Sequence, residues 1–180
     1  ILLWVARCNA FQSSPSEAIS LLKRAESAIR PDTPGIEAAV HLELADACLT
    51  NQQVNEAVKH LEHVATLSDL GVDEIRKVIQ LWQVADIPPS SKLAECFRRA
   101  ELSPDETEFL LSSIGERREW QEFTSRLLLQ NGLTAAEDRP ERLHTLLLAL
   151  IGSRQFEMLP EVSAKLLEED SRNIATLFNT

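Results

Sequence analysis

Tyrosine is absent from this 180-residue chain, methionine occurs once and glycine five times. Sheets draw on tyrosine and other aromatics and tight loops draw on glycine, so the shortfall excludes most all-β architectures and leaves helix formers dominant. Basic residues are also scarce: 18 Lys and Arg stand against 28 Asp and Glu, a formal net charge of −10. Duplex nucleic acid needs a basic footprint, so no nucleic-acid partner is expected. No apolar run approaches the roughly 18–20 residues of a membrane helix, so no span is expected in this segment. Cysteines number three, Cys8, Cys48 and Cys96, an odd and widely spaced set. Three buried, reduced thiols are expected, because a disulfide framework is dense and even, and no Cys-x-x-Cys or Cys/His zinc spacing occurs.

The 44% of hydrophobic and 26% of charged residues that remain are ordinary for a folded protein, and the length suits one domain or one run of repeats. Five stretches align: Pro15-Ser-Glu-Ala-Ile-Ser-Leu-Leu, Val54-Asn-Glu-Ala-Val-Lys-His-Leu, Ser90-Ser-Lys-Leu-Ala-Glu-Cys-Phe, Trp120-Gln-Glu-Phe-Thr-Ser-Arg-Leu and Phe156-Glu-Met-Leu-Pro-Glu-Val-Ser. Their starts are 39, 36, 30 and 36 residues apart, and apolar or small residues follow at helical spacing in each. They read as the second helices of a repeated pair.

A first helix precedes each, carrying a quartet at i, i+3, i+4 and i+7. The quartets are Leu2/Val5/Ala6/Asn9, His41/Leu44/Ala45/Cys48, Ile75/Val78/Ile79/Trp82, Thr107/Leu110/Leu111/Ile114 and Leu143/Leu146/Leu147/Leu150. The middle two positions are always apolar. Breakers lie between pairs: Arg30-Pro-Asp-Thr-Pro-Gly, Ser68-Asp-Leu-Gly, Leu102-Ser-Pro-Asp-Glu, Asn131-Gly and Arg139-Pro-Glu. The fold class expected is all-α, about five antiparallel helix pairs plus the start of a sixth. The pairs fall at roughly 1–31, 35–69, 72–103, 104–132 and 139–170, with a partial unit at 172–180. Glu168-Glu169-Asp170 are expected to end a helix. Trp4, Trp82, Trp120 and Phe156 are expected in the core rather than as recognition aromatics, the last two at matching places in successive repeats.

This pattern resembles the tetratricopeptide repeat, whose units of about 34 residues stack into a right-handed superhelix. Ala-Glu-Leu-Ser-Pro-Asp (100–105) and Ala-Ile-Arg-Pro-Asp (28–32) look like that family's helix exit. Glu-Ala-Ile-Ser-Leu-Leu and Glu-Ala-Val-Lys-His-Leu look like the start of its second helix. The repeats are degenerate. The first-helix aromatic position holds Asn9, Cys48, Trp82, Ile114 and Leu150, and the small position holds Ala6 and Ala45 but then Ile79, Leu111 and Leu147. Ile87-Pro-Pro89 lengthens one loop within a pair. The resemblance implies a right-handed α-solenoid that binds a partner in a concave groove lined by first helices.

Stepping off each quartet to its free face gives the candidate partner-binding residues: Arg7, Asp46, Arg76, Gln80, Gln83, Glu108, Ser112, Glu116 and His144. The set is polar and leans acidic toward the fourth repeat, which suits a basic or neutral protein or peptide segment, or a cationic polymer. Chaperone-binding members of the family grip a C-terminal carboxylate with Lys, Asn and Arg, a pattern missing here.

Other clusters are weaker. His60 and His63 lie three apart with Glu56 four residues before His60, a spacing that can put zinc or nickel ligands on one face. No third firm ligand is identifiable, so a solvated face beside Ala57, Leu61 and Val64 is the reading adopted. His41, in a quartet, reads as a satisfied, partly buried histidine. No metal and no cofactor are expected. No nucleophile elbow, phosphate-cradling glycine loop or His-Glu-x-x-His occurs, and no enzyme activity is expected. Arg98-Arg99 and Arg117-Arg118 read as solvated faces.

The expectation is therefore a non-catalytic scaffold segment of a longer protein, the chain opening inside one apolar helical pattern and stopping inside another. Excised, such a segment is a candidate for self-association. Two other classes fit the pattern: a periplasmic segment of a bacterial exopolysaccharide or export system, and a ligand-responsive segment of a signalling protein. The compartment is left open between cytoplasm and bacterial periplasm.

Overall fold

A computed structural model of the chain describes residues 14–29, 34–68, 70–100, 102–130 and 140–178. Among them every regular element is helical: α1 Pro15–Glu26, α2 Pro34–Thr50, α3 Val54–Val64, α4 Val72–Val84, α5 Ser91–Arg99, α6 Pro104–Ser112, α7 Arg118–Gln130, α8 Pro140–Ser153 and, after a short 3₁₀ turn at Phe156–Met158, α9 Leu159–Phe178. The chain divides into two compact units, 1–113 and 114–180. The first quartet and Trp4 lie outside the described residues.

Local chemistry places the helix starts. Proline, pre-set for helical φ, opens or nearly opens α1, α2, α6 and α8. Ser90 caps α5, its Oγ accepting from Leu93 N at 3.4 Å. At α6, Ser103 and Glu106 form a capping box: Ser103 Oγ accepts from Glu106 N at 3.3 Å, and Ser103 N donates to Glu106 Oε2 at 2.8 Å. The end of α3 is closed from the next repeat. Arg99 of α5 donates to Thr66 O at 3.0 Å and to Ala65 O at 2.5 Å, satisfying carbonyls at the end of α3. One arginine expected on a solvated face therefore caps a helix, while Arg98 pairs with Glu95.

First helices end on a repeated backbone device. Gln52, Asp86 and Arg154 are left-handed, with φ of 57°, 58° and 61°, and follow α2, α4 and α8. At Gln52 the two closing bonds are Gln53 N to Cys48 O, 2.8 Å, and Gln52 N to Leu49 O, 2.9 Å. Arg154 has the same pair, Gln155 N to Leu150 O at 2.9 Å and Arg154 N to Ile151 O at 3.0 Å. This is the Schellman closure, made here without glycine. The long loop after Asp86 is pinned differently, Trp82 Nε1 donating to Pro88 O at 3.1 Å.

In the first unit α2 and α3 run antiparallel: Glu37 meets His63 while His41, further along α2, meets His60, earlier on α3. The quartets form the core. Leu44, Ala45 and Cys48 of α2, Ile75, Val78, Ile79 and Trp82 of α4, and Leu110 and Leu111 of α6 are all buried, against Ala57, Leu61 and Val64 of α3 and Leu93, Cys96 and Phe97 of α5. A buried leucine of this kind contributes about 1.5–3 kcal/mol. In the second unit Trp120, Phe123, Leu127 and Leu128 of α7, Leu143, Leu146, Ala149 and Leu150 of α8, and Val162 of α9 are buried.

Three details differ from expectation. Phe156 is 57% exposed while Trp120 is buried, because Phe156 lies in the 3₁₀ turn ahead of α9 whereas Trp120 is already inside α7. Leu147 is only half-buried, and Ala149 fills the core instead. The helix end at Glu168–Asp170 does not occur: α9 continues to Phe178, with neither glycine nor proline after Pro160 to stop it.

Side-chain contacts between successive repeats carry the period directly. Lys77 bonds Glu43, 34 residues away; Arg99 bonds Ala65 at 34; Lys92 bonds Glu62 at 30; Gln83 bonds Ser113 at 30. In the second unit Gln155 bonds Ser125 at 30. Equivalent helices of neighbouring repeats are thus held in register at close to one repeat length.

Candidate functional site

Three of the candidate residues fall at matching helix positions. Asp46, Gln80 and Ser112 each stand five residues after the first member of their quartet, on α2, α4 and α6, and all three are exposed. Burial of its surroundings pushes the Asp46 carboxyl above its ordinary range, with Lys77 pulling it down. Arg76 is half-buried against the next first helix, its guanidinium carbon 4.9 Å from the Phe109 ring centroid, a cation–π distance. Gln83 donates its side-chain N–H to Ser113 O at 3.0 Å. Arg76 and Gln83 thus join repeats within the first unit. Glu116 and His144 are exposed in the second unit. Arg7 and the Glu108 side chain lie outside the described residues.

A second constellation lies on α1, α2 and α3. Glu37 and His41 are one turn apart on α2, and His60 and His63 nearly one turn apart on α3, so antiparallel packing brings the two pairs face to face. His41 Nδ1 and His60 Nδ1 are 2.9 Å apart, one imidazole donating to the other. His63 Nε2 is 2.8 Å from Glu37 Oε1, and the His63 ring centroid is 4.2 Å from that of His41. Glu26, the last residue of α1, places Oε1 3.7 Å from His41 Nε2. His41 is 7% exposed. Burial, reinforced by His63 and His60, lowers its pKa to about 4, with Glu37 opposing. Burial also lowers His60, against the pull of Glu26 and Glu56.

Histidine and carboxylate atoms lie within 4.8 Å of one another in two overlapping triads, Glu26/His41/His60 and Glu37/His41/His63. Glu56, the carboxylate that the sequence places beside His60, instead binds Lys59 at 2.5 Å on the surface. The partners of His60 and His63 come from earlier helices. Glu37–His41 at i, i+4 opposite His60–His63 at i, i+3 was a legible signal, but it needed the pairing of α2 with α3 to be used.

No family model matches the chain, and no curated protein matches it. Two solved structures are similar to it: the nearly identical TPR-like repeats of a Podosopora anserina putative kinesin light chain, and a point variant of the same protein. The variant is 18% identical, covers 97% of this chain and 95% of its own, and has a TM-score of 0.45; the other is 18% identical, covers 96% and 94%, and has a TM-score of 0.43. The fold itself rests on the helix pairing and on the 30- to 34-residue spacing of the contacts described above.

Proposed function

We propose that the chain is a non-catalytic interaction scaffold, binding a partner protein or peptide along the free face of its first helices. The observation that carries this reading is the alignment of Asp46, Gln80 and Ser112: exposed polar side chains at one helical position in three successive repeats, above quartets that are buried. A rigid frame with a regularly spaced polar strip is pre-organised for an extended segment, so little ordering of the receptor opposes binding. The surplus of carboxylates favours a basic or neutral partner. No helix among the described residues is long and apolar enough to cross a membrane.

The test is a pulldown with the chain as bait, at low and elevated salt, read by mass spectrometry and repeated with Asp46→Lys/Gln80→Lys. The expected outcome is a partner held at low salt by the wild type, weakened by salt and lost with the double variant. Glu17→Lys, on the exposed side of α1, is expected to retain it. A partner indifferent to the strip variant moves the interface elsewhere, and no partner at all removes the scaffold reading.

A further inference from the structure

We propose that Glu26, His41 and His60 form a binding site for one zinc-class divalent ion, with Co²⁺, Ni²⁺ and Cu²⁺ as congeners accepted by the same donors. The Nδ1 atoms of His41 and His60 converge to 2.9 Å, with one hydrogen between two lone pairs. A metal ion can take the place of that hydrogen. Zinc–nitrogen bonds of about 2.0–2.1 Å in a tetrahedral shell set neighbouring nitrogens about 3.3 Å apart, so the nitrogens need to part by about 0.4 Å and the rings to tilt until their lone pairs meet at the ion. Glu26 brings a carboxylate oxygen from a third helix into the same cluster, the three ligand atoms lying within 4.8 Å of one another; it stands 3.7 Å from His41 Nε2, so its side chain has to swing round the ring edge to reach an ion at Nδ1.

Two imidazoles and a carboxylate are a borderline donor set that suits zinc and its neighbours and does not suit Mg²⁺ or Ca²⁺, which take oxygen shells. Three helices supply one ligand each, so the site exists only in the folded chain and metal binding would be linked to folding. The hydrogen displaced from between the two Nδ1 atoms has a place to go, since the ring that held it can carry it on Nε2 as the other neutral tautomer. With three protein ligands, a fourth coordination position stays open to water. His63 and Glu37, bonded to each other at 2.8 Å, stand beside the site. They form the neighbouring triad, which shares His41 with this one. Metal uptake needs no partner protein, so this inference and the scaffold reading fail independently.

The experiment uses the whole chain, chelator-stripped and reduced, titrated with Zn²⁺ against a chromophoric chelator and with Co²⁺ in the visible. The expected result is one ion per chain, a melting temperature that rises with Zn²⁺, no response to Mg²⁺, and cobalt bands of nitrogen–oxygen coordination. His60→Gln, at a half-buried position, and Glu26→Gln are each expected to weaken zinc by at least about tenfold while circular dichroism keeps its helical signal. His144→Gln, in the second unit, is expected to leave zinc affinity unchanged. Absence of saturable uptake overturns the proposal, as does affinity unchanged in His60→Gln. A thiolate-to-cobalt charge-transfer band overturns it in favour of a cysteine site. Loss of binding with His63→Gln but not with His60→Gln overturns the assignment in favour of the neighbouring triad.

Discussion

Lys77 Nζ donates to Glu43 Oε1 at 2.7 Å, joining α4 to α2 across 34 residues of chain. The carboxylate side chain is 14% exposed and the ammonium 34%, so the pair is less screened than a surface pair. A double-mutant cycle with Glu43→Ala and Lys77→Ala is expected to give a coupling of about 0.5–1 kcal/mol that shrinks with added salt. Zero coupling in urea unfolding would mean that the ion pair follows the register of these helices without helping to set it.

Gln52 holds a conformation that costs an L-residue about 1–2 kcal/mol and costs glycine almost nothing. Glycine also loses more freedom on folding, which offsets part of that gain. Gln52→Gly is therefore expected to raise the stability of the chain by about 0.5–1 kcal/mol, and Gln52→Val to lower it. Thermal melts followed by circular dichroism decide the matter, and a destabilised glycine variant would contradict the strain assigned to this corner.

Acid should loosen the packing of α1, α2 and α3. His41 has a folded pKa of about 4 against an ordinary 6.5, so between these values the unfolded chain binds the extra proton. Its contribution is fully present above pH 6.5 and is lost as pH falls toward 4. The groups facing it are His60, His63, Glu26 and Glu37, and the lowered His60 acts in the same direction. After solvent screening, the His41 share amounts to about 1–2 kcal/mol. Urea midpoints at intervals across that window should fall for the wild type and fall less for His41→Gln. Parallel slopes would assign the acid sensitivity to other groups.

Two leucines at the same quartet position should behave differently. Leu111 is 4% exposed, whereas Leu147 is half-buried. Leu111→Ala is expected to cost about 2–5 kcal/mol and Leu147→Ala about 1 kcal/mol. Equal losses in denaturant unfolding would mean that Leu147 is as tightly packed as its counterpart.

Much of the helical frame was legible because it is written in apolar spacing. Ile75, Val78, Ile79 and Trp82 announce a buried face, and Ser103-Pro-Asp-Glu106 announces a capped start. The stop after Thr50 was not legible, since the αL conformation at Gln52 leaves no mark when the residue is not glycine or asparagine. Arg99 looked like a surface charge because the carbonyls it binds lie on the preceding repeat, 33 and 34 residues back. The histidine cluster was half visible. His60 and His63 stood out by spacing, but spacing along one helix pointed to Glu56, whereas packing brought in His41, Glu37 and Glu26 from two others. Local pattern reports which face a residue occupies; it is silent on which neighbour that face meets.

The corners at Gln52, Asp86 and Arg154 carry an amide, an acid and a guanidinium on the same left-handed main-chain conformation. A bend that already holds three unlike, unbranched-at-Cβ side chains is a natural attachment point. Spin labels or fluorophores carried on cysteines at 52 and 86 would sit on equivalent bends of consecutive repeats with little disturbance to the helices between them. The distance between such labels would then serve as a ruler for stacking in the first unit, sensitive to any ligand that tightens or splays adjacent pairs.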